Sequence, residues 1–75
     1  MTMKMLESGF YLHYKGGRYF VLGVGKHSET LEEFVIYRSI SDNPKFWIRP
    51  LQMFTENVTH EDKEIPRFRY LGLTI

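Results

Sequence analysis

Apolar and polar positions alternate along Gly9–Tyr14, with Phe10, Leu12 and Tyr14 on one side and Tyr11 and His13 on the other. That two-residue period predicts a strand. A Gly16-Gly17 pair follows, and Arg18–Gly25 then runs almost unbroken through β-prone apolar residues. Adjacent glycines reach the positive φ angles of a tight turn, so the two runs are read as a β-hairpin. The second run reads as a central strand covered on both faces. Gly23 and Gly25 within it predict a bulge or a sharp bend.

Farther along, Thr30-Leu31-Glu32-Glu33 has the spacing of a helix capping box. Phe34-Val35-Ile36-Tyr37 is nevertheless a run of strand formers, and helical spacing from Leu31 meets the charged Arg38. The reading is a loop over His27–Glu32 and a strand over Glu33–Ser39, with a helix there as the alternative. Ser41-Asp42-Asn43-Pro44-Lys45 is turn chemistry. A strand over Phe46–Arg49 is expected to stop at Pro50, which cannot donate to a ladder. Leu51–Phe54 reads as one helical or 3₁₀ turn plugging an end of the core. Val58–His60 and Ile65–Tyr70 read as a closing pair around the polar turn Glu61–Glu64, with Pro66 marking an edge. The sum is an all-β chain: about five short strands in a small, strongly bent barrel, with one helical turn near residues 51–54.

Seventy-five residues make one small domain. Such a chain buries only about 60% of the surface its unfolded form exposes, so its core must use large side chains. Six phenylalanines, five tyrosines, one tryptophan and four methionines supply them. Residues 1–8 read as a flexible leader without the apolar core of a secretory signal, 9–70 as the barrel domain and 71–75 as an extension. That apolar extension suits pairing with an edge strand or a second copy. The absence of cysteine removes disulfides and thiolate metal sites, and a cytoplasmic setting is the default expectation. No stretch approaches the ~18 apolar residues of a membrane-spanning helix, so no membrane partner is expected. The net charge of +1 is well below the basic excess of a dedicated nucleic-acid binder.

Gly9-x-Tyr11-x-His13-Tyr14-Lys15-Gly16, then Tyr19-x-Val21-Leu22-Gly23-Val24, resembles the opening of a bacterial family known only as domain of unknown function sixteen-fifty-three. The resemblance continues through His27–Thr30, Val35–Arg38, Trp47-Ile48-Arg49-Pro50-Leu51-x-Met53-Phe54 and Pro66-Arg67-Phe68, in order over roughly Gly9–Phe68. It departs at the turn Glu61–Glu64, which lacks an Asp-Gly or similar pair, and in continuing to Ile75. The resemblance implies a stand-alone β domain similar to an SH3-like barrel. It implies no activity.

Tyr11, His13, Tyr37, Trp47 and Arg49 are the candidate ligand-binding residues. If their strand faces coincide, aromatic planes, an imidazole and a guanidinium converge on one surface able to hold a planar ring, a carboxylate or a phosphate. The competing reading makes the rings core, with Phe10, Leu12, Phe46 and Ile48 contending for the interior. His13, His27 and His60 lack metal-ligand spacing, so no metal and no cofactor are expected. His27-Ser28-Glu29 holds the ingredients of nucleophilic catalysis, but consecutive residues rarely converge as a triad, and a polar loop is the preferred reading. The glycines precede strands, not a helix, and so form no phosphate loop.

The leading expectation is a non-enzymatic binding module for a peptide or small anionic ligand, as monomer or homodimer. The first alternative is single-stranded nucleic-acid binding by the interleaved Lys15, Arg18, Lys26, Arg38, Arg67 and Arg69 with Tyr14, Tyr19, Tyr37, Phe68 and Tyr70. The second is a small enzyme using His13 or His27.

Overall fold

The structure, a computed structural model, describes residues 6–41 and 43–74. Seven strands and one short helix follow in the order β1 (Gly9–His13), β2 (Arg18–Lys26), β3 (Glu33–Ser39), β4 (Phe46–Pro50), α1 (Leu51–Thr55), β5 (Asn57–His60), β6 (Lys63–Pro66) and β7 (Phe68–Gly72). Five strands form an antiparallel sheet ordered β4-β3-β2-β1-β7, and β5 and β6 make a separate hairpin. The small all-β domain with one helical turn is as the sequence predicts. The sheet ends at β4 and β7, which do not pair with each other, so among the described residues no continuous ladder closes a barrel.

The first hairpin turns on Gly16, at φ 108°, where Gly16 N–H donates to the His13 carbonyl and His13 N–H to the Gly17 carbonyl, both at 2.7 Å. A bulge interrupts β2 between Val21 and Gly23, where the glycine predicts one. At the β1–β7 seam the backbones approach so closely that a Cβ on Gly9 (φ 138°) would stand 2.7 Å from the Gly72 carbonyl oxygen.

Three expectations are corrected. The closing strand read as Ile65–Tyr70 is two strands, so the six spans named from the sequence become seven strands, against the expected total of about five. Ile65 and Pro66 pair with Val58 and Asn57. At Arg67 the chain changes partners: its N–H donates to the Glu56 carbonyl at 3.2 Å, its carbonyl accepts the Tyr14 N–H at 3.0 Å, and β7 then pairs with β1. Second, β2 is central but covered on one face only. Val21 is fully buried and Phe20, on the opposite face, is half-buried, while Leu22 at the bulge and Val24, which lies opposite Val35 on the inward side, are exposed. Third, β4 includes Pro50, opposite Phe34.

The core is small and aromatic: Tyr11, Val21, Val35, Tyr37, Phe54 and Phe68. Phe54 enters from α1 and stacks on Phe68 with ring centroids 4.0 Å apart, while Tyr11 and Tyr37 meet it edge-on at 5.4 and 5.3 Å. Five residues cannot sustain a helix alone, and α1 has no side-chain cap, so burial of Phe54 holds it in place. Leu6, just before the sheet, and Leu71 and Gly72, just past Tyr70, belong to the folded body: Leu6 packs on the core and β7 runs to Gly72.

Candidate functional site

The alternation of β3 and β4 builds a cleft on the concave side of the sheet. Val35 and Tyr37 point inward, and their cross-strand partners Arg49 and Trp47 therefore share that side. Phe46 and Ile48 go to the opposite side, where both are 66% exposed. The contest for the interior is thus won by the residues that carry polar groups. His13 ends β1 on the same side, opposite Phe68 of β7. Together His13, Tyr19, Tyr37, Trp47, Arg49 and Phe68 enclose a cleft of about 160 Å³.

Aromatic contacts fix the walls. The His13 ring meets Phe68 edge-on at 4.9 Å and Tyr19 at 6.4 Å, and Tyr19 meets Tyr37 at 5.5 Å. Arg49 crosses the cleft, with Nε donating to the Tyr37 hydroxyl at 3.3 Å and the guanidinium carbon 5.9 Å from the centre of the Phe68 ring. Among the described residues the ion pairs are His60–Glu61 and Arg67–Glu56, so no carboxylate neutralises Arg49.

His13 Nδ1 accepts the Lys15 N–H at 3.1 Å, which leaves the neutral ring its proton on Nε2. Burial lowers its pKa below the ordinary value, and the positive charges of Arg49, Arg67 and Lys15 lower it further. The cleft is therefore a cationic neighbourhood with a neutral imidazole, open at Trp47, which is 48% exposed.

Tyr11 stands apart from the other four candidates. It shares their side of the sheet but lies under α1, packed on Phe54 and on Tyr70 at 5.1 Å, with its hydroxyl donating to the Glu7 carbonyl at 2.6 Å. Burial, with Tyr70 and Glu7 nearby, pushes its pKa up to about 12. Tyr11 is a core residue because α1 folds over it. Tyr19 and Phe68 complete the cleft; the sequence analysis places both among the aromatics of the nucleic-acid alternative and not with the five ligand-binding candidates. Tyr19 was visible as the alternation partner of Val21; Phe68 had no signal, since its place depends on β7 pairing with β1.

The remaining histidines are accounted for by local structure. His27 Nδ1 accepts the N–H groups of Glu29 and Thr30 at 3.1 and 3.2 Å, tying the β2–β3 loop, and Thr30 Oγ1 accepts the Glu32 N–H at 3.2 Å with no helix following. His60 lies 3.6 Å from Glu61 on an exposed turn. The described residues contain no group of three His, Asp or Glu side chains arranged to hold a metal ion, and no helix long and apolar enough to cross a membrane. A larger hollow of about 600 Å³ opens beside α1, where Leu6, Pro50, Leu51 and Met53 give aliphatic walls and Glu32 and Glu33 the charge. It offers neither the rings nor the cation of the smaller cleft.

The family described as "protein of unknown function (DUF1653)" matches residues 9–70. A crystal structure of a DUF1653 protein from Bordetella bronchiseptica is similar with a TM-score of 0.86 and 32% sequence identity, over 99% of this chain and 97% of that one. No curated protein matches the chain.

Proposed function

The chain belongs to the DUF1653 family of proteins of unknown function, and we propose that it is a non-enzymatic binding module whose cleft takes the anionic group of a peptide or small ligand. The observation that carries this reading is Arg49, a half-buried guanidinium without a carboxylate partner among the described residues, set among Tyr19, Tyr37, Trp47 and Phe68. Leaving such a cation without a counter-charge is costly unless something else supplies one. The volume limits what that is. About 160 Å³ falls below the ~300–1,000 Å³ of pockets that enclose whole cofactors or drug-sized molecules, and suits one carboxylate, one phosphate or one ring. The lining residues offer donors and rings but no activated nucleophile, and the Nδ1 of His13 is already used by the Lys15 N–H.

Benzoate, a ring bearing a carboxylate, and inorganic phosphate are direct probes. Titration followed by amide and indole NMR should move Trp47, Arg49 and His13 first, with millimolar affinity, as a single small group warrants. Trp47→Ala and Arg49→Gln should remove those shifts and leave the chain folded, with the Arg49→Gln midpoint lowered by no more than roughly 4–8 °C. Shifts spread evenly over the surface would refute the reading, as would variants that unfold.

A further inference from the structure

Phe46 and Ile48 point their main-chain N–H and C=O groups off the free edge of β4. Two hydrogen bonds set this alternation. Ser39 N–H donates to the Lys45 carbonyl at 3.1 Å, and Ile40 N–H donates to the Arg18 carbonyl at 3.2 Å. Odd-numbered residues of β3 thus face β4 and even-numbered ones face β2. On the β4 side, Lys45, Trp47 and Arg49 direct their backbone groups to β3, while Phe46, Ile48 and Pro50 direct theirs outward. Pro50 occupies an outward position, where its missing N–H takes nothing from the β3 ladder, which explains its place inside the strand. No other main-chain bond from the described residues reaches Phe46 or Ile48. Phe46, Trp47 and Ile48 form an exposed, uncharged edge of the kind that recruits another strand.

Charge decides which strand fits. By the pleat, Lys45, Trp47 and Arg49 share the cleft side. A second copy paired antiparallel about Trp47 would set Arg49 opposite the partner's Lys45 twice, and one paired about Ile48 would set it opposite the partner's Trp47; neither register supplies a carboxylate to either cation. A strand carrying acidic residues two before and two after an apolar one gives each cation a carboxylate. We infer that the β4 edge takes an extended acidic peptide as an added antiparallel strand, of pattern acidic-x-apolar-x-acidic. The central residue lies against Trp47, one acidic side chain reaches the Arg49 cleft, and the two residues between exchange hydrogen bonds with Phe46 and Ile48. This rests on the reading of the cleft as an anion site and adds the ligand class and its backbone geometry.

The test uses a blocked synthetic peptide, Thr-Glu-Val-Leu-Val-Glu-Thr, in calorimetry with the full chain. N-methylation of its two valines, which would meet Phe46 and Ile48, should weaken binding at least about tenfold. Ile48→Pro should do the same with an unchanged thermal midpoint, since the N–H it removes is not in the β3 ladder. Lysine in place of both glutamates should abolish binding. If the N-methylated peptide binds as well as the parent while Arg49→Gln abolishes both, strand addition is overturned and the cleft reading survives. Binding of benzoate but not of the peptide has the same consequence. If neither probe binds, both readings fall. Sedimentation showing a dimer of the free chain that Ile48→Pro disperses would assign the edge to a second copy and overturn the inference.

Discussion

Replacing Arg49 with glutamine separates a binding role from a structural one without a known ligand. The side chain makes two contacts: a long hydrogen bond to the Tyr37 hydroxyl at 3.3 Å and an approach to the Phe68 ring at 5.9 Å. The first contributes at the lower end of the ~0.5–1.5 kcal/mol of an ordinary hydrogen bond. The second contributes roughly 0.5–1 kcal/mol for a partly exposed cation–π pair. Relief of the unpaired half-buried charge offsets part of both, so the net cost is about 1 kcal/mol or less. For a domain of this size that lowers Tm by no more than roughly 4–8 °C. The same substitution removes the leading charge that depresses the His13 pKa, so that pKa should rise. NMR titration of the imidazole protons reads it directly, beside a thermal melt. A His13 pKa that does not move would show that the two side chains do not share a cleft. A midpoint falling much further would make Arg49 part of the framework.

Three further predictions concern the framework. Glu61 and Asp62 take φ angles of 52° and 63° in the two-residue β5–β6 turn, where non-glycine residues incur ~1–2 kcal/mol each, so Glu61→Asn with Asp62→Gly should stabilise the fold by about 1 kcal/mol in urea denaturation. A lower or unchanged midpoint would contradict the turn geometry. Because the folded His13 pKa lies below its ordinary value of 6.5, the unfolded chain takes up a proton that the folded one resists. Stability should therefore drop as pH falls through 6.5 and level off once folded His13 protonates; His13→Gln should flatten that limb. Tyr11 ionises at about 12 when folded against 10 when unfolded, so stability should fall as pH rises between those values. Tyr11→Phe should abolish that alkaline loss, at about 1 kcal/mol for the lost hydrogen bond to Glu7 at neutral pH.

Local signals were legible and long-range ones were not. The first hairpin, the β3 span Glu33–Ser39 and the helical turn after Pro50 follow from residues adjacent in the chain. The capping-box spacing at Thr30 was misleading for a local reason too: His27 and Thr30 bond loop N–H groups, and no helix is needed to satisfy them. Period-two alternation placed Trp47 with Arg49 and Tyr11 with His13, yet could not say which side faced inward. Inward is the side with the tyrosines because Phe54 and Phe68, from distant segments, stack there. The same packing separates Tyr11 from His13: α1 covers one and not the other. Pro66 was read as an edge signal, but the exchange of partners at Arg67 required knowing that β1 had a free edge to offer β7.

Strand β4 joins the cleft to the edge through its two-residue period. Its odd residues, Trp47 and Arg49, line the cleft proposed as the anion site; its even residues, Phe46 and Ile48, present backbone groups that no described strand pairs. Neither suffices for a tight complex. At a ceiling near −1.5 kcal/mol per heavy atom for the smallest ligands, the few atoms that about 160 Å³ admits give affinity in the millimolar range once realistic contacts replace ideal ones. An edge strand alone is unselective, since every peptide has the same backbone. A ligand engaging both spends one ordering cost on two sets of contacts, which raises affinity beyond either, and the cationic cleft rejects strands without an acid at the right position. On the proposed reading, the juxtaposition therefore favours a short, extended, acidic segment over a free metabolite as the ligand.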